Sequence, residues 1–254
     1  MKHLAISVCF LVGLAACTSD QNTATSTTTP TEVVTTTTET PVTTTTLVPP
    51  DGKRSDERTL TLFDTIANDN LQPKSIVHSG TGLFFAQNMM YRHNISVFDR
   101  QSNLIATIND KVDLASFGIN IPDKGSVVRG SPVEAAFSPD AKYAYVSNYA
   151  MYGSGFGPEG KDTCTPSSGT DRSFTSRVNL ESMATDQVYP VGAVPKVVAV
   201  TPDGGRVLVT NWCSWDMSVI NAATGKVVRT LPLGAYPRGI AVSQDGRFAI
   251  VAIM

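Results

Sequence analysis

The sequence is poor in charged side chains and lacks the common motifs of catalysis. Charged residues make up 17% of the chain, with 20 basic and 22 acidic side chains, so no bulk attraction to nucleic acid or anionic lipid is expected. It contains no Gly-x-Ser-x-Gly and no His-Glu-x-x-His element, the usual signatures of hydrolases. The glycine-rich stretch 153–160 is not followed by Gly-Lys-Ser/Thr, so it does not predict a phosphate loop.

Long apolar runs are also missing. The one at the N-terminus, residues 4–16, has about a dozen residues, which is too short for a bilayer span and typical of a signal peptide. It ends in Leu14-Ala15-Ala16-Cys17, which resembles the lipobox of bacterial lipoproteins. The resemblance implies cleavage after residue 16, diacylation of Cys17 and attachment to the cell membrane on its outer side. An ordinary signal peptide with an incidental cysteine is the alternative.

Residues 17–58 are predicted to be a disordered tether. The segment 18–50 is nearly half threonine, contains four prolines and has almost no apolar side chain to start a core. Such a composition does not bury enough surface to offset the entropy of ordering. In an extended state it would reach on the order of 100 Å, enough to hold a domain clear of a membrane.

Residues 59–254 are predicted to be an all-β domain built from a repeat. Within residues 195–236, four β-branched runs are separated by Gly, Pro, Asp and Asn turns, and the pattern restarts at Pro237. A period of about 40 residues with four strands per unit is typical of a β-propeller blade. Aligned first strands open at Pro73, Pro132, Pro195 and Pro237, and the second strands end at Asn88, Asn148, Asn211 and Ile253. Residues 59–66 are predicted to be a further strand.

The repeats resemble a known family. Tyr145-Val146-Ser147-Asn148, Val207-Leu208-Val209-Thr210-Asn211 and Thr201-Pro202-Asp203-Gly204 are similar to the YVTN repeats of YncE-like β-propellers. The resemblance implies a seven-bladed ring, whereas three complete repeats and half of a fourth are present. Because an open ring leaves unpaired edges, we expect a partial sequence, with a four-bladed closure as the alternative.

Two insertions interrupt the period, at residues 109–131 and 150–172, and we expect both to crowd the channel mouth. Cys164 lies in the second insertion and Cys213 in the equivalent loop of the next blade, which favours a disulfide between them. Two free thiols or a metal pair are the alternatives, although no CxxC spacing or nearby histidine supports a metal.

The residue that follows each opening proline suggests a binding face. These positions hold Lys74, Val133, Lys196 and Arg238. If the three cations point into the channel mouth, they form a basic collar that could attract an anionic ligand. The alternative is that they are solvated side chains at strand ends. Tyr149 and Trp212, directly after two of the strand-end asparagines, are candidate contacts because aromatic side chains often anchor interfaces. The asparagines themselves are expected to satisfy turn backbone groups. His78 is predicted in the core, His93 at the surface, and a calcium site formed by Glu159, Asp162 and Asp171 is a weak possibility.

These features favour a membrane-anchored binding module over an enzyme. No convergent acid–base set is recognisable, so no catalytic residue, metal or cofactor is predicted, and a protein, a glycan or a small anionic molecule would fit the face. The alternative, implied by the resemblance, is a lactonase-like or dehydrogenase-like propeller enzyme with its site at the channel mouth. Nucleic-acid binding, suggested for some relatives, is disfavoured by the acidic balance.

Overall fold

The computed structural model describes residues 61–89, 92–120, 126–149 and 163–254, together with the two-residue strand β1. The chain divides into two compact units, and residues 64–254 and β1 belong to the first. Of the second unit only residues 61–63 are described. The predicted tether and the rest of the predicted signal peptide, including Cys17, lie outside the described residues.

Four-stranded antiparallel sheets, here called blades, make up the first unit. The first blade contains β2–β5, the second β8–β11 and the third β12–β15, each in sequential order, while β16 and β17 form a fourth, partial blade with β1 parallel to β17. The insertion between the first and second blades forms its own hairpin, β6–β7. No sheet closes on itself among the described strands. The bounds are β1 Ala5–Ile6, β2 Ser75–His78, β3 Phe84–Asn88, β4 Asn94–Phe98, β5 Leu104–Asn109, β6 Lys111–Asp113, β7 Val127–Arg129, β8 Pro132–Phe137, β9 Tyr143–Asn148, β10 Phe174–Asn179, β11 Ala184–Pro190, β12 Pro195–Val200, β13 Arg206–Asn211, β14 Asp216–Asn221, β15 Val227–Pro232, β16 Pro237–Val242 and β17 Phe248–Ile253.

The predicted blade pattern is confirmed in strand order and in the ends of the second strands. β3, β9, β13 and β17 end at Asn88, Asn148, Asn211 and Ile253 as expected. The first strands β2, β8, β12 and β16 contact one another in succession. The core consists of apolar clusters between neighbouring blades, for example Phe85, Val97, Ala135 and Val146 between the first and second.

A repeated hydrogen bond joins each blade to the next. The hydroxyl of Ser75 donates to the backbone carbonyl of Val133 (2.7 Å), and the hydroxyl of Ser147 donates to the backbone carbonyl of Lys196 (2.7 Å). The hydroxyl of Thr210 repeats the contact with the carbonyl of Arg238 (2.7 Å). Buried polar groups need such partners. The three bonds hold the residues after Pro132, Pro195 and Pro237 against the preceding blade.

Two local predictions are wrong. Residues 61–66 form no strand, and Leu62 and Phe63 are 82% and 60% exposed, so this segment adds no strand to a blade. His78 is exposed, not part of the core. Its Nδ1 accepts a hydrogen bond from the backbone N–H of Gly80 (3.2 Å), and its ring lies 4.8 Å from that of Phe84.

The first insertion differs from its expected position. Its described part packs Val112 and Leu114 onto Phe174 and Val188 of the third and fourth strands of the second blade, β10 and β11. His93, predicted at the surface, is partly buried, with its Nδ1 3.0 Å from Asp110 Oδ2. The hydrophobic side chains of the hairpin account for the position, since β10 and β11 offer an apolar surface to cover.

The predicted disulfide between Cys164 and Cys213 is confirmed. The two Cα atoms are 5.2 Å apart, the bond spans a sequence separation of 49, and both side chains are 1% exposed. A stable disulfide is typical of exported proteins. Within the described residues, no helix has the length and apolar character needed to cross a membrane.

Candidate functional site: the collar pocket

A β-bulge sits at the start of the first strand in three blades. In the second blade, Pro132 pairs with Asn148, but the next pair is Glu134 with Ser147, so Val133 is the extra residue. The register shifts in the same way after Pro195 and after Pro237. A bulge interrupts the alternation of side chains and redirects one of them, and bulges are common beside functional sites. Val133, Lys196 and Arg238 therefore occupy equivalent, redirected positions.

The residue before each of these prolines has a left-handed backbone. Ser131, Val194 and Tyr236 have φ of 60°, 54° and 56°. Each carbonyl accepts a hydrogen bond from the residue that follows the second strand, as between Val194 and the N–H of Trp212 (2.9 Å). Such backbone is costly for side chains other than glycine, most of all for a β-branched one such as Val194. Retained strain of this kind clusters at binding and active sites.

A cavity of about 310 Å³ lies where these turns meet. Residues from all four blades line it, namely Lys74, Val133, Glu134, Lys196, Val197, Trp212 and Arg238. We call it the collar pocket, and we call the exposed Lys74 and Arg238 its rim cations. Four of the five residues predicted for the binding face thus line one pocket, and the fifth, Tyr149, lies beside it.

Lys196 is held by two aromatic rings. Its Nζ lies 4.0 Å from the centre of the Tyr149 ring and 5.1 Å from that of Trp212. Lys196 is 8% exposed, Tyr149 3% and Trp212 8%, and the aromatic pair packs in one cluster with the disulfide. Cation–π contacts of a desolvated ammonium contribute about 2 kcal/mol each. The two aromatic residues therefore hold the lysine in place, although sequence analysis treated them as contact residues.

Glu134 brings a carboxyl group into the pocket. Burial raises the pKa of Glu134, while the hydroxyl of Ser75 and the positive charges of Arg238 and Lys74 oppose that shift. Sequence analysis did not select this residue. The available signal was an acidic side chain two positions after an opening proline, in an otherwise apolar strand.

The strand-end asparagines have a structural role, although their Nδ2 atoms bond to serine hydroxyls of the third strands and not to turn backbone groups as expected. The Nδ2 of Asn88, Asn148 and Asn211 donates to Ser96, Ser176 and Ser218 Oγ respectively, each at 3.0 Å. The asparagines link the second and third strands. Asn211 also leaves no room for a side chain on Gly192. A Cβ on Gly192 would lie 2.6 Å from the Cβ of Asn211.

A second cavity, of about 450 Å³, is lined by the turns at the other end of the first strands. Its charged groups are engaged within the fold. Arg177 pairs with Asp186 (2.7 Å) and lies 4.3 Å from the centre of the Tyr143 ring. The carboxylates of Asp140 and Asp203 accept hydrogen bonds from the hydroxyls of Ser138 and Thr201, which lower their pKa values. The collar pocket is the better candidate, because its rim cations form no ion pair with the described residues.

Two other arrangements do not define sites. Ser131 Oγ and Asp110 Oδ2 both approach the same nitrogen of His93, at 3.3 and 3.0 Å, whereas a catalytic triad needs one partner on each ring nitrogen. Of the three residues of the possible calcium site, only Asp171 is described, and Glu159 and Asp162 lie outside. In the ranges that the structure describes, no group of three His, Cys, Asp or Glu residues could hold a metal ion.

Comparisons with known proteins bear on the fold alone. No family model matches the chain, and no curated protein matches it. Among solved structures, a chain of Kuenenia stuttgartiensis hydrazine synthase is similar, with a TM-score of 0.50 and 19% identity over 74% of the present chain. The match spans 44% of that chain, less than half its length. The class of protein so defined is all-β, with repeated four-stranded antiparallel blades compatible with a β-propeller.

Proposed function

We propose that this chain is an exported, lipid-anchored β-propeller of the YVTN type that acts as a binding module through the collar pocket. The repeat and its bulged first strands support the propeller assignment, and the disulfide supports export. The Leu14–Cys17 motif is the basis for the lipid anchor, with the threonine-rich segment as the tether. The proposed number of seven blades is what the family resemblance implies.

The observation that carries the binding function is the convergence of charge from separate blades. Lys74, Lys196 and Arg238 come from the first, third and fourth blades, yet line one pocket with a single carboxyl, that of Glu134, among its described residues. Pockets with an apolar lining and a few convergent polar groups are the usual form of ligand sites. The enzyme hypothesis requires a convergent acid–base set, and a single carboxyl supplies only one member of it.

A thermal-shift screen tests the proposal. The full chain is heated with panels of small anions, neutral sugars and short acidic peptides. A ligand present at 100 times its Kd stabilises the folded state by about 2.7 kcal/mol. For a domain of this size that raises the Tm by roughly 5–11 °C.

A matched pair of double variants assigns the site. Lys74→Gln with Arg238→Gln removes the rim cations, and Lys111→Gln with Arg229→Gln removes two exposed cations elsewhere. The proposal predicts a ligand that stabilises the wild type and the second variant but not the first. Ligands that stabilise all three proteins equally bind elsewhere and would contradict it. Turnover of a stabilising ligand by the wild type would favour the enzyme hypothesis instead.

A further inference from the structure

Two cations from separate parts of the chain meet at the collar pocket. The rim cations Lys74 and Arg238 belong to the first and fourth blades, yet both line the same cavity. Each of them lowers the pKa of Glu134, a residue of the second blade, so both lie within electrostatic reach of one carboxyl group. Positive charge therefore converges on a single position of the lining.

The rim stays positive in either ionisation state of Glu134. Neither rim cation forms an ion pair with a described residue. Glu134 carries the single carboxyl among the described lining residues, so it offsets one rim charge when ionised and none when protonated. This balance does not depend on Lys196, whose ammonium is held by the rings of Tyr149 and Trp212. At least one positive charge of the rim therefore remains for a ligand to neutralise.

The size and lining of the pocket restrict the ligand further. At about 310 Å³ the cavity is at the lower end of the range for small-molecule sites. Val133 and Val197 line it beside the cations, so a ligand may also carry a short carbon frame. A neutral ligand of the same shape would cover the rim without compensating its charge, and covering an uncompensated charge is costly. The pocket should therefore discriminate between molecules of equal size by their charge.

Resting on the binding function above, we propose that the collar pocket selects small anions over neutral molecules of the same shape, with an acidic group held at the rim cations. Carboxylates and phosphates share this chemistry. Arg238 suits either, because a planar guanidinium forms paired hydrogen bonds with carboxylate and phosphate groups. The exposed ammonium of Lys74 adds a second positive charge from the first blade.

Calorimetric titration of the full chain with matched acids and amides tests this selectivity. Acetate, lactate and benzoate are the carboxylate probes, each paired with its neutral amide, and inorganic phosphate represents the other anion, all at pH 7 and constant ionic strength. A carboxylate that binds should do so roughly tenfold or more tightly than its amide, because the acid alone accepts charge-assisted hydrogen bonds from the rim cations. Binding of phosphate but of no carboxylate would identify a phosphorylated ligand.

Single variants of the rim assign the selectivity to the pocket. Lys74→Gln and Arg238→Gln should each weaken binding of the anion by roughly three- to tenfold, since each removes a charge-assisted contact. The variant that carries both changes should bind an acid and its amide about equally. Arg229→Gln, which removes an exposed cation of β15, is the control and should leave the affinity unchanged.

The outcomes separate this inference from the binding function on which it rests. Equal affinity for acids and amides, reduced in both by the rim variants, would overturn the selectivity for anions and leave a binding pocket. Absence of binding by the carboxylates and by phosphate would overturn it too, while a neutral screening hit that depends on the rim cations would keep the binding function. Binding of an anion that survives the loss of both rim cations would also overturn it. Thermal unfolding of each variant excludes misfolding, and Lys74, which is exposed and lies outside the strands, provides the second independent variant.

Discussion

Cys213→Ser should destabilise the protein by an amount that the sequence separation sets. In the chain-entropy relation, a loop closed over 49 residues contributes about 4 kcal/mol to the free energy of unfolding. For a domain of 150–250 residues, 1 kcal/mol shifts the Tm by about 2–4 °C. The variant is therefore expected to melt roughly 8–16 °C below the wild type and to become protease-sensitive around the second insertion, with the blades still folded.

Thermal unfolding with and without reductant provides the test. The reduced wild type should have the same Tm as the non-reduced variant, and reductant should not lower the Tm of the variant further. Cys164→Ser, which removes the other half of the same bond, should melt like Cys213→Ser. An unchanged Tm in Cys213→Ser, together with equal protease sensitivity of the insertion, would refute this account of the disulfide.

Two further predictions concern Glu134 and the close packing of the blades. Since burial raises the folded-state pKa of Glu134, the carboxyl favours folding below its unfolded pKa, and that advantage is lost as pH rises through the folded pKa. Denaturant unfolding should therefore show the wild type losing stability relative to Glu134→Gln as pH increases from about 4.5. A difference in unfolding free energy between the two proteins that stays constant with pH, or changes in the opposite direction, would contradict the burial argument. Gly192→Ala should cost about 1–3 kcal/mol because its Cβ would lie 2.6 Å from Asn211. Gly239→Ala is the control, because a Cβ at Gly239 would lie 3.6 Å from its nearest neighbour, the Cβ of Ala252. Equal melting temperatures of the two variants would contradict the close packing at Gly192.

Sequence reasoning was most successful where the repeat sets the structure. The repeat period places the second strands, and all four end where predicted, three of them at an asparagine. The same repeat placed Cys164 and Cys213 in loops of neighbouring blades. These features depend on local pattern and on repetition, which a single sequence displays in full.

The errors arose where the outcome depends on neighbours. His78 lies in an apolar column when the repeats are aligned, yet the packing around the first blade leaves it exposed. Leu62, Phe63 and Ile66 have strand-like spacing but remain exposed and form no strand. Tyr149 and Trp212 were placed on the correct side of the blades, but their burial around Lys196 depends on a cation from another strand.

The site itself could be predicted only in part. The position after each proline identified Lys74, Lys196 and Arg238, but not whether their side chains converge. The bulge that redirects them is a matter of backbone register, which needs the paired strand. Glu134 was missed for the same reason, because its half-buried position follows from the register shift at Val133.

Binding at the collar pocket is tested most directly by the protein's own fluorescence. The chain contains two tryptophans, Trp212 in the pocket lining and Trp215, whose ring lies 5.8 Å from that of Tyr236. Titration of the full chain with a ligand that raises its Tm in the thermal-shift screen should change the emission saturably, and the change should be lost in the double variant Lys74→Gln with Arg238→Gln. Calorimetric binding with no change in emission, or a change that survives removal of both rim cations, would place the ligand elsewhere and contradict the account.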